Sequence, residues 1–294
     1  MITLVEALLA LAEHETMSKA ALRLRVTQSA VSKRIAALER ELGQKLVEPD
    51  GRRVRLTPFA VRLLARVRPL VGDLRDALYG ESAAIQGELV VAVSESILAS
   101  WGPSLFVACL ARLPEVRLSL NAHSGPMAVE RVRAGEAMLA LVAGLDRDAL
   151  TTRHVLEEPM VVIPSGLQPL TLANRLAVRT IESHSETWRC LSLRLPRLYK
   201  DHDFTLEVNA TLQTFTGIAQ MAVAGLGHGL VPLGVARLLG VPDEQLVRLP
   251  GPTLTRPVSW VMRANTAARP LVKRFLEVFA EEAEPIKESF EQAE

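Results

Sequence analysis

From Thr27 onward the chain places Gln28, Ser29, Ser32, Lys33 and Arg34 at steps of one and three residues, the spacing that gathers polar side chains on one face of a helix. Amide, hydroxyl and cationic groups in that arrangement can exchange hydrogen bonds with base edges and phosphates in the major groove of DNA. Thr27 is suited to accept N–H bonds where that helix starts. A second set follows in Glu48-Pro49-Asp50-Gly51-Arg52-Arg53-Val54-Arg55-Leu56, a turn signal and then the alternation of a short strand. Arg52 and Arg53 at its tip can lie against a sugar-phosphate backbone, where contacts position a protein without specifying sequence. An ordinary solvated helix face is the competing reading, and the capped turn and the basic flank argue against it.

The other candidate chemistry is recognition of a small molecule. Ser94, Glu95 and Ser96 follow the apolar strand Leu89 to Val93, Ser124 follows the strand Val116 to Asn121, and Thr214 opens a helix reaching about Ala224. Parallel sheets bind ligands beyond the carboxyl ends of their strands, so these hydroxyls, one carboxylate and a helix start would meet a small polar or anionic molecule. A surface loop with no ligand is the alternative there. No catalytic residues emerge: G-x-S-x-G is absent, which leaves little for an esterase-like α/β enzyme, and the six His stand in no paired metal spacing. The glycines of Ala224-Gly225-Leu226-Gly227-His228-Gly229 miss the dinucleotide spacing and read as a tight helix-to-strand turn. Neither a metal nor a cofactor is expected. Cys109 and Cys190 stand far apart in apolar settings, which suggests packing in a reduced cytoplasm, with thiol sensing as the alternative.

These residues need a scaffold, and 294 residues, 49% of them hydrophobic, suffice for two or three lobes. Charge is unevenly spread. Thr16 to Arg68 holds thirteen basic and four acidic residues, a net of +9, while the remainder is −8. Ile2, Val5, Leu8, Leu9 and Ala12 form the apolar stripe of a first helix. A second runs from about Ser18, its candidate N-cap, to Leu24. Val31, Ile35, Leu38 and Leu42 turn the third toward the core, and Gly43 ends it. Thr57 and Pro58 open a long helix whose stripe Ala60, Leu64, Val67, Val71, Leu74 and Leu78 can serve as a helix-helix seam; Pro69 should kink or end it. From Gly87 the order strand, helix, strand, helix, strand implies a largely parallel sheet, with a second lobe after Met160 to Ile163. The final helix is expected from about Arg269 to Glu282. Neither a signal peptide nor a run of the roughly 20 apolar residues that a membrane span needs is read.

The stretch Lys19-Ala20-Ala21 to Leu24, Val26-Thr27-Gln28-Ser29-Ala30-Val31-Ser32, Ile35, Leu38-Glu39, Leu42-Gly43 and Leu56-Thr57-Pro58 resembles the LysR-type transcriptional regulators. The sequence departs from the family at Val47-Glu48-Pro49, at Phe59-Ala60 and at Met138. The resemblance implies an α/β protein with an α-rich N-terminal winged helix-turn-helix over residues 1–57 and a linker helix over 58–86 that pairs subunits. It also implies a two-lobed, periplasmic-binding-protein-like effector domain over 87–294, with lobe one about 87–160 and 264–294 and lobe two about 161–263. DNA contacts carry over onto Gln28, Ser29, Ser32, Lys33 and Arg34, with Arg52 and Arg53 in the wing. Leu64, Val67, Val71 and Leu74 fall on the subunit seam. The expected partners are double-stranded operator DNA and a small effector between the lobes, in a cytoplasmic homodimer or homotetramer; RNA polymerase is a further candidate. A purely architectural DNA-binding protein would not need some 200 residues beyond the linker.

Overall fold

Capped helices and a hairpin build the first part of the chain. The computed structural model describes residues 1–50, 53–79, 87–143, 150–170, 175–183, 203–249 and 253–292. It divides into two compact units, one of Met1–Glu81 with Ala134–Glu136 and one of Ser82–Arg133 with Ala137–Glu294.

In the first unit, α1 (Ile2–His14), α2 (Met17–Leu24) and α3 (Gln28–Leu42) precede a hairpin of β1 (Val47–Asp50) and β2 (Arg53–Leu56). The buried face of α1 is Ala7, Leu8, Ala10 and Leu11, so Ile2, expected inward, is exposed at the helix start. Leu42 is likewise exposed where α3 runs out. Thr16, not Ser18, caps α2 by accepting from the Lys19 N–H at 3.3 Å. The strand pair begins at Val47, earlier than the turn residues suggest, because β1 is an edge where Pro49 can face Val54 without donating.

Glu39 fastens α3 to the hairpin. One carboxylate oxygen accepts from the N–H groups of Leu46 at 2.9 Å and Val47 at 3.4 Å, and the other from Lys45 Nζ at 3.0 Å. Burial pushes the Glu39 pKa up, but these donors outweigh it and the carboxyl sits below its ordinary value. A depressed carboxylate stabilises the fold above the unfolded-state pKa and loses that effect as pH falls through the folded-state pKa. Glu39→Ala is therefore expected to cost about 1–3 kcal/mol near neutral pH by stranding two backbone donors. Urea unfolding of both proteins across acid pH should show the gap narrowing; a gap independent of pH would mean the ionised carboxylate is not what matters.

Helix α4 runs unbroken from Pro58 to Tyr79, so Pro69 does not end it. Thr57 caps it, accepting from Ala60 N–H at 3.1 Å and donating to the Lys45 carbonyl at 2.8 Å. Its stripe divides in two. Ala60 and Leu64, the first two residues of the stripe, are buried in the core of this unit. Val67 is half-buried and Val71 buried, whereas Leu70 and Leu74 are 63% and 38% exposed.

The second unit is built on a six-stranded sheet with the order β4-β3-β5-β10-β6-β9. Its strands are β3 (Gly87–Ser94), β4 (Val116–His123), β5 (Leu139–Ala143), β6 (Thr151–Ile163), β9 (Gly229–Pro232) and β10 (Thr255–Met262). β3 pairs in parallel with β4 and β5, as the alternation of strands and helices implies. β10 runs antiparallel to both β5 and β6, and β6 antiparallel to β9. The long strands β6 and β10 are thus the two crossovers. A separate parallel pair joins β7 (Arg175–Ser183) to β8 (Asp203–Leu212).

The helices are α5 (Glu95–Leu98), α6 (Gly102–Arg112), α7 (Gly125–Arg133), α8 (Phe215–Val223), α9 (Leu233–Leu238), α10 (Ala264–Ala267) and α11 (Pro270–Glu291). The core centres on Trp260 of β10, whose ring lies 4.9 Å from Phe279, 5.8 Å from Phe275 and 6.4 Å from Phe106 in edge-on contacts that suit aromatic quadrupoles. α11 extends beyond its expected end because Ala283 and Phe290 keep burying an apolar face.

Candidate nucleic-acid interface and effector cleft

Thr27 accepts the Ala30 N–H at 3.2 Å and fixes the start of α3. From there Val31, Ile35 and Leu38 point into the core, while Gln28, Ser29, Ser32 and Lys33 are exposed on the other side and Arg34 is half-buried. Two contacts organise the exposed row. Thr27 Oγ1 and Ser29 Oγ lie 3.0 Å apart, and Ser18 Oγ donates to Gln28 Oε1 at 3.1 Å. Ser18 thus orients the Gln28 amide: it takes one lone pair of the amide oxygen and leaves the other, with the NH2 group, for further partners. Sequence reading assigned Ser18 to a cap because a hydroxyl is equally at home there. The wing hairpin carries Arg55, paired to Glu48 at 2.9 Å, and Arg53 opposite Asp50 in register. Arg52 lies outside the described residues.

Five further candidates fall at one end of the second unit. The β3–β4 register sets Ser94 beside His123, so Ser94 with Glu95 and Ser96 at the start of α5, and Ser124 after β4, leave neighbouring parallel strands at the same edge. Ser124 is exposed. Thr214 turns its hydroxyl onto its own helix, accepting from Gly217 N–H at 3.1 Å. Thr216, which sequence reading missed, donates to Glu95 Oε1 at 2.7 Å and ties the first turn of α8 to the start of α5.

Beneath this edge lies a buried ion pair. Glu158 of β6 and Arg256 of β10 are 0% and 1% exposed. Glu158 Oε2 accepts from Arg256 Nε at 2.9 Å and Nη2 at 2.6 Å, and Oε1 accepts from Trp101 Nε1 at 3.2 Å and the Gly234 N–H at 3.3 Å. Arg256 Nη1 donates to Ser96 Oγ at 3.0 Å, and the guanidinium lies 5.3 Å from the Phe215 ring centre at the start of α8. Ser96 is itself buried, and its Oγ has a lone pair committed to Arg256. One signal for this network existed in the sequence: two charged residues bordering otherwise apolar strands.

Among the described residues no His, Cys, Asp and Glu cluster could hold a metal ion. No helix there is long and apolar enough to cross a membrane. Cys109 is fully buried; desolvation, aided by Glu282 and opposed by Arg112, pushes its thiol up to about 12, so it carries no reactive thiolate near neutral pH. Cys190 lies outside the described residues.

Residues 2–61 match the model of the bacterial regulatory helix-turn-helix proteins of the lysR family, and residues 82–284 match the LysR substrate binding domain. The chain belongs to the LysR-type transcriptional regulators. An uncharacterised HTH-type transcriptional regulator of Vibrio cholerae is 29% identical over 266 residues, 89% of each chain. The fold agrees with a full-length OxyR variant from Pseudomonas aeruginosa, at TM-score 0.73 and 20% identity over 96% of this chain and 97% of that one. It also agrees with full-length CbnR solved with its target DNA, at TM-score 0.60 and 22% identity over 96% and 100% of the two chains.

Proposed function

We propose that this regulator binds a specific operator through Gln28, Ser29, Ser32, Lys33 and Arg34, positioned by Thr27 and steadied on the backbone by Arg52 and Arg53, and that a small polar metabolite between the lobes alters that binding. The observation that carries the DNA half is the exposed polar row on a helix whose start is capped and whose lead side chain is already held by Ser18. The CbnR complex with its target DNA supports the same use of the fold. The effector half rests on Ser94, Glu95, Ser96 and Ser124 sharing one sheet edge with the first turn of α8, which Thr214 caps. Two or more copies pair through α4, with Leu74 and the flanking Val67 and Val71 on the seam and Leu70 as an added exposed contact.

In vitro selection from random duplex DNA supplies the operator for a test. Gln28→Ala is expected to lose about 1–3 kcal/mol on the selected duplex and little on random DNA, as removal of a bidentate base contact would. Lys33→Ala is expected instead to weaken both about equally and to lower the salt slope by roughly one unit. Equal losses on both duplexes for Gln28→Ala would remove it from base reading.

A further inference from the structure

A cavity of about 320 Å³ opens on the second unit between the start of α6, α9 and the C-terminal end of α11. That volume lies at the small end of ligand sites, enough for a single ring. Its walls are Trp101, Leu238, Pro285, Ile286 and Phe290, and Leu238 is 48% exposed at the rim. One edge is polar. Arg237 gives Nε and Nη2 to Asp243, at 3.2 and 2.7 Å, and Nη1 to Ser289 Oγ at 2.9 Å. The Asp243 carboxylate matches the guanidinium charge, while Ser289, already accepting, has its proton to give. The edge therefore offers neutral donor capacity beside an apolar wall.

We propose that this cavity is a second small-molecule site, fitted to a single-ring apolar compound bearing one hydrogen-bond acceptor, and that its occupancy is felt at Ser96. Trp101 and Gly234 line the cavity and both donate to Glu158 Oε1; Glu158 holds Arg256, and Arg256 holds Ser96. Ser100 adds a shorter route, its hydroxyl donating to the Ser96 carbonyl at 2.6 Å. The wall has no slack. A Cβ on Gly234 would lie 2.8 Å from both the Trp101 ring and Glu158 Oε1, so a ligand pressing on Trp101 presses on the ion pair. Coupling to an effector depends on the reading of Ser96 given above, but the cavity itself does not.

The probe is 4-fluoroacetophenone, one ring with one carbonyl, titrated into the full-length protein and followed by fluorine NMR. Saturable binding is expected with a Kd of about 1 mM, ordinary for a compound of this size. Leu238→Trp, placed from an exposed position, should fill the cavity and weaken binding by about tenfold or more. In the wild type the probe should slow amide hydrogen exchange across residues 94–99. Trp101→Phe keeps the wall but removes the N–H to Glu158, so it should retain binding within about threefold and lose the exchange response. No saturable binding, or binding that Leu238→Trp leaves unchanged, overturns the site. Exchange at 94–99 that ignores the bound probe in the wild type, or persists in Trp101→Phe, overturns the coupling. Since the titration uses no effector, these results stand apart from any test of the lobe cleft.

Discussion

Glu158→Leu is expected to lower the stability of the effector-binding unit by about 3–5 kcal/mol, while Glu158→Leu with Arg256→Met recovers most of the loss. The asymmetry follows from burial. With both residues at 1% exposure or less, removing the carboxylate strands a guanidinium left, among the described residues, with the Ser96 hydroxyl and the Phe215 ring. It also strands the Trp101 and Gly234 donors. Removing both charges leaves neutral donors unpaired but no buried ion. Urea unfolding of the full-length proteins, followed at the transition of this unit, checks it. A double variant no more stable than the single one would show that the pair contributes net stability, and equal stability of the single variant and wild type would mean that water reaches the site.

The same pair marks where the sequence stops being legible. Local signals are read well: Thr27 and Gly43 bracket α3, and Thr57-Pro58 opens α4, because a cap needs only its own three or four neighbours. Ser18 was misplaced because Thr16 sits two residues earlier, and either hydroxyl satisfies the rule. Of β6 only Met160 to Ile163 was expected, although the strand starts at Thr151. The part before Met160 carries Arg153, His154, Glu157 and Glu158. What makes that part a strand is its antiparallel partner β10, and what makes Glu158 tolerable is Arg256, 98 positions away. No window of sequence holds both. The parallel strands β3 and β4, with the residues that follow them at one edge, are legible from an apolar run in β3 and an apolar–polar alternation in β4, whereas Thr216 joins this group through a contact spanning 121 positions.

The effector reading leads to the other large effect. Ser96→Ala is expected to weaken effector binding by about 1–3 kcal/mol, with the ligand taken from a thermal-shift screen of small polar metabolites and measured by calorimetry. Because Ser96 Oγ also accepts from Arg256, the alanine variant strands one guanidinium N–H, and a shift of the pair would add to the loss of the contact itself. Glu95→Gln separates the two. Glu95 is bonded to Thr216 and makes no bond to the pair, so it tests the cleft while leaving the ion pair intact. An effector that donates to Glu95 should lose affinity in Glu95→Gln, most strongly if it is cationic. An anionic effector should bind the neutral variant better, which gives the sign of its charge directly. Operator titration with and without the saturating ligand then measures the coupling, expected at about 1–3 kcal/mol. Unchanged effector affinity in both variants would move the site away from the β3 edge, and operator affinity and footprint indifferent to the ligand would remove the sensing role from this domain.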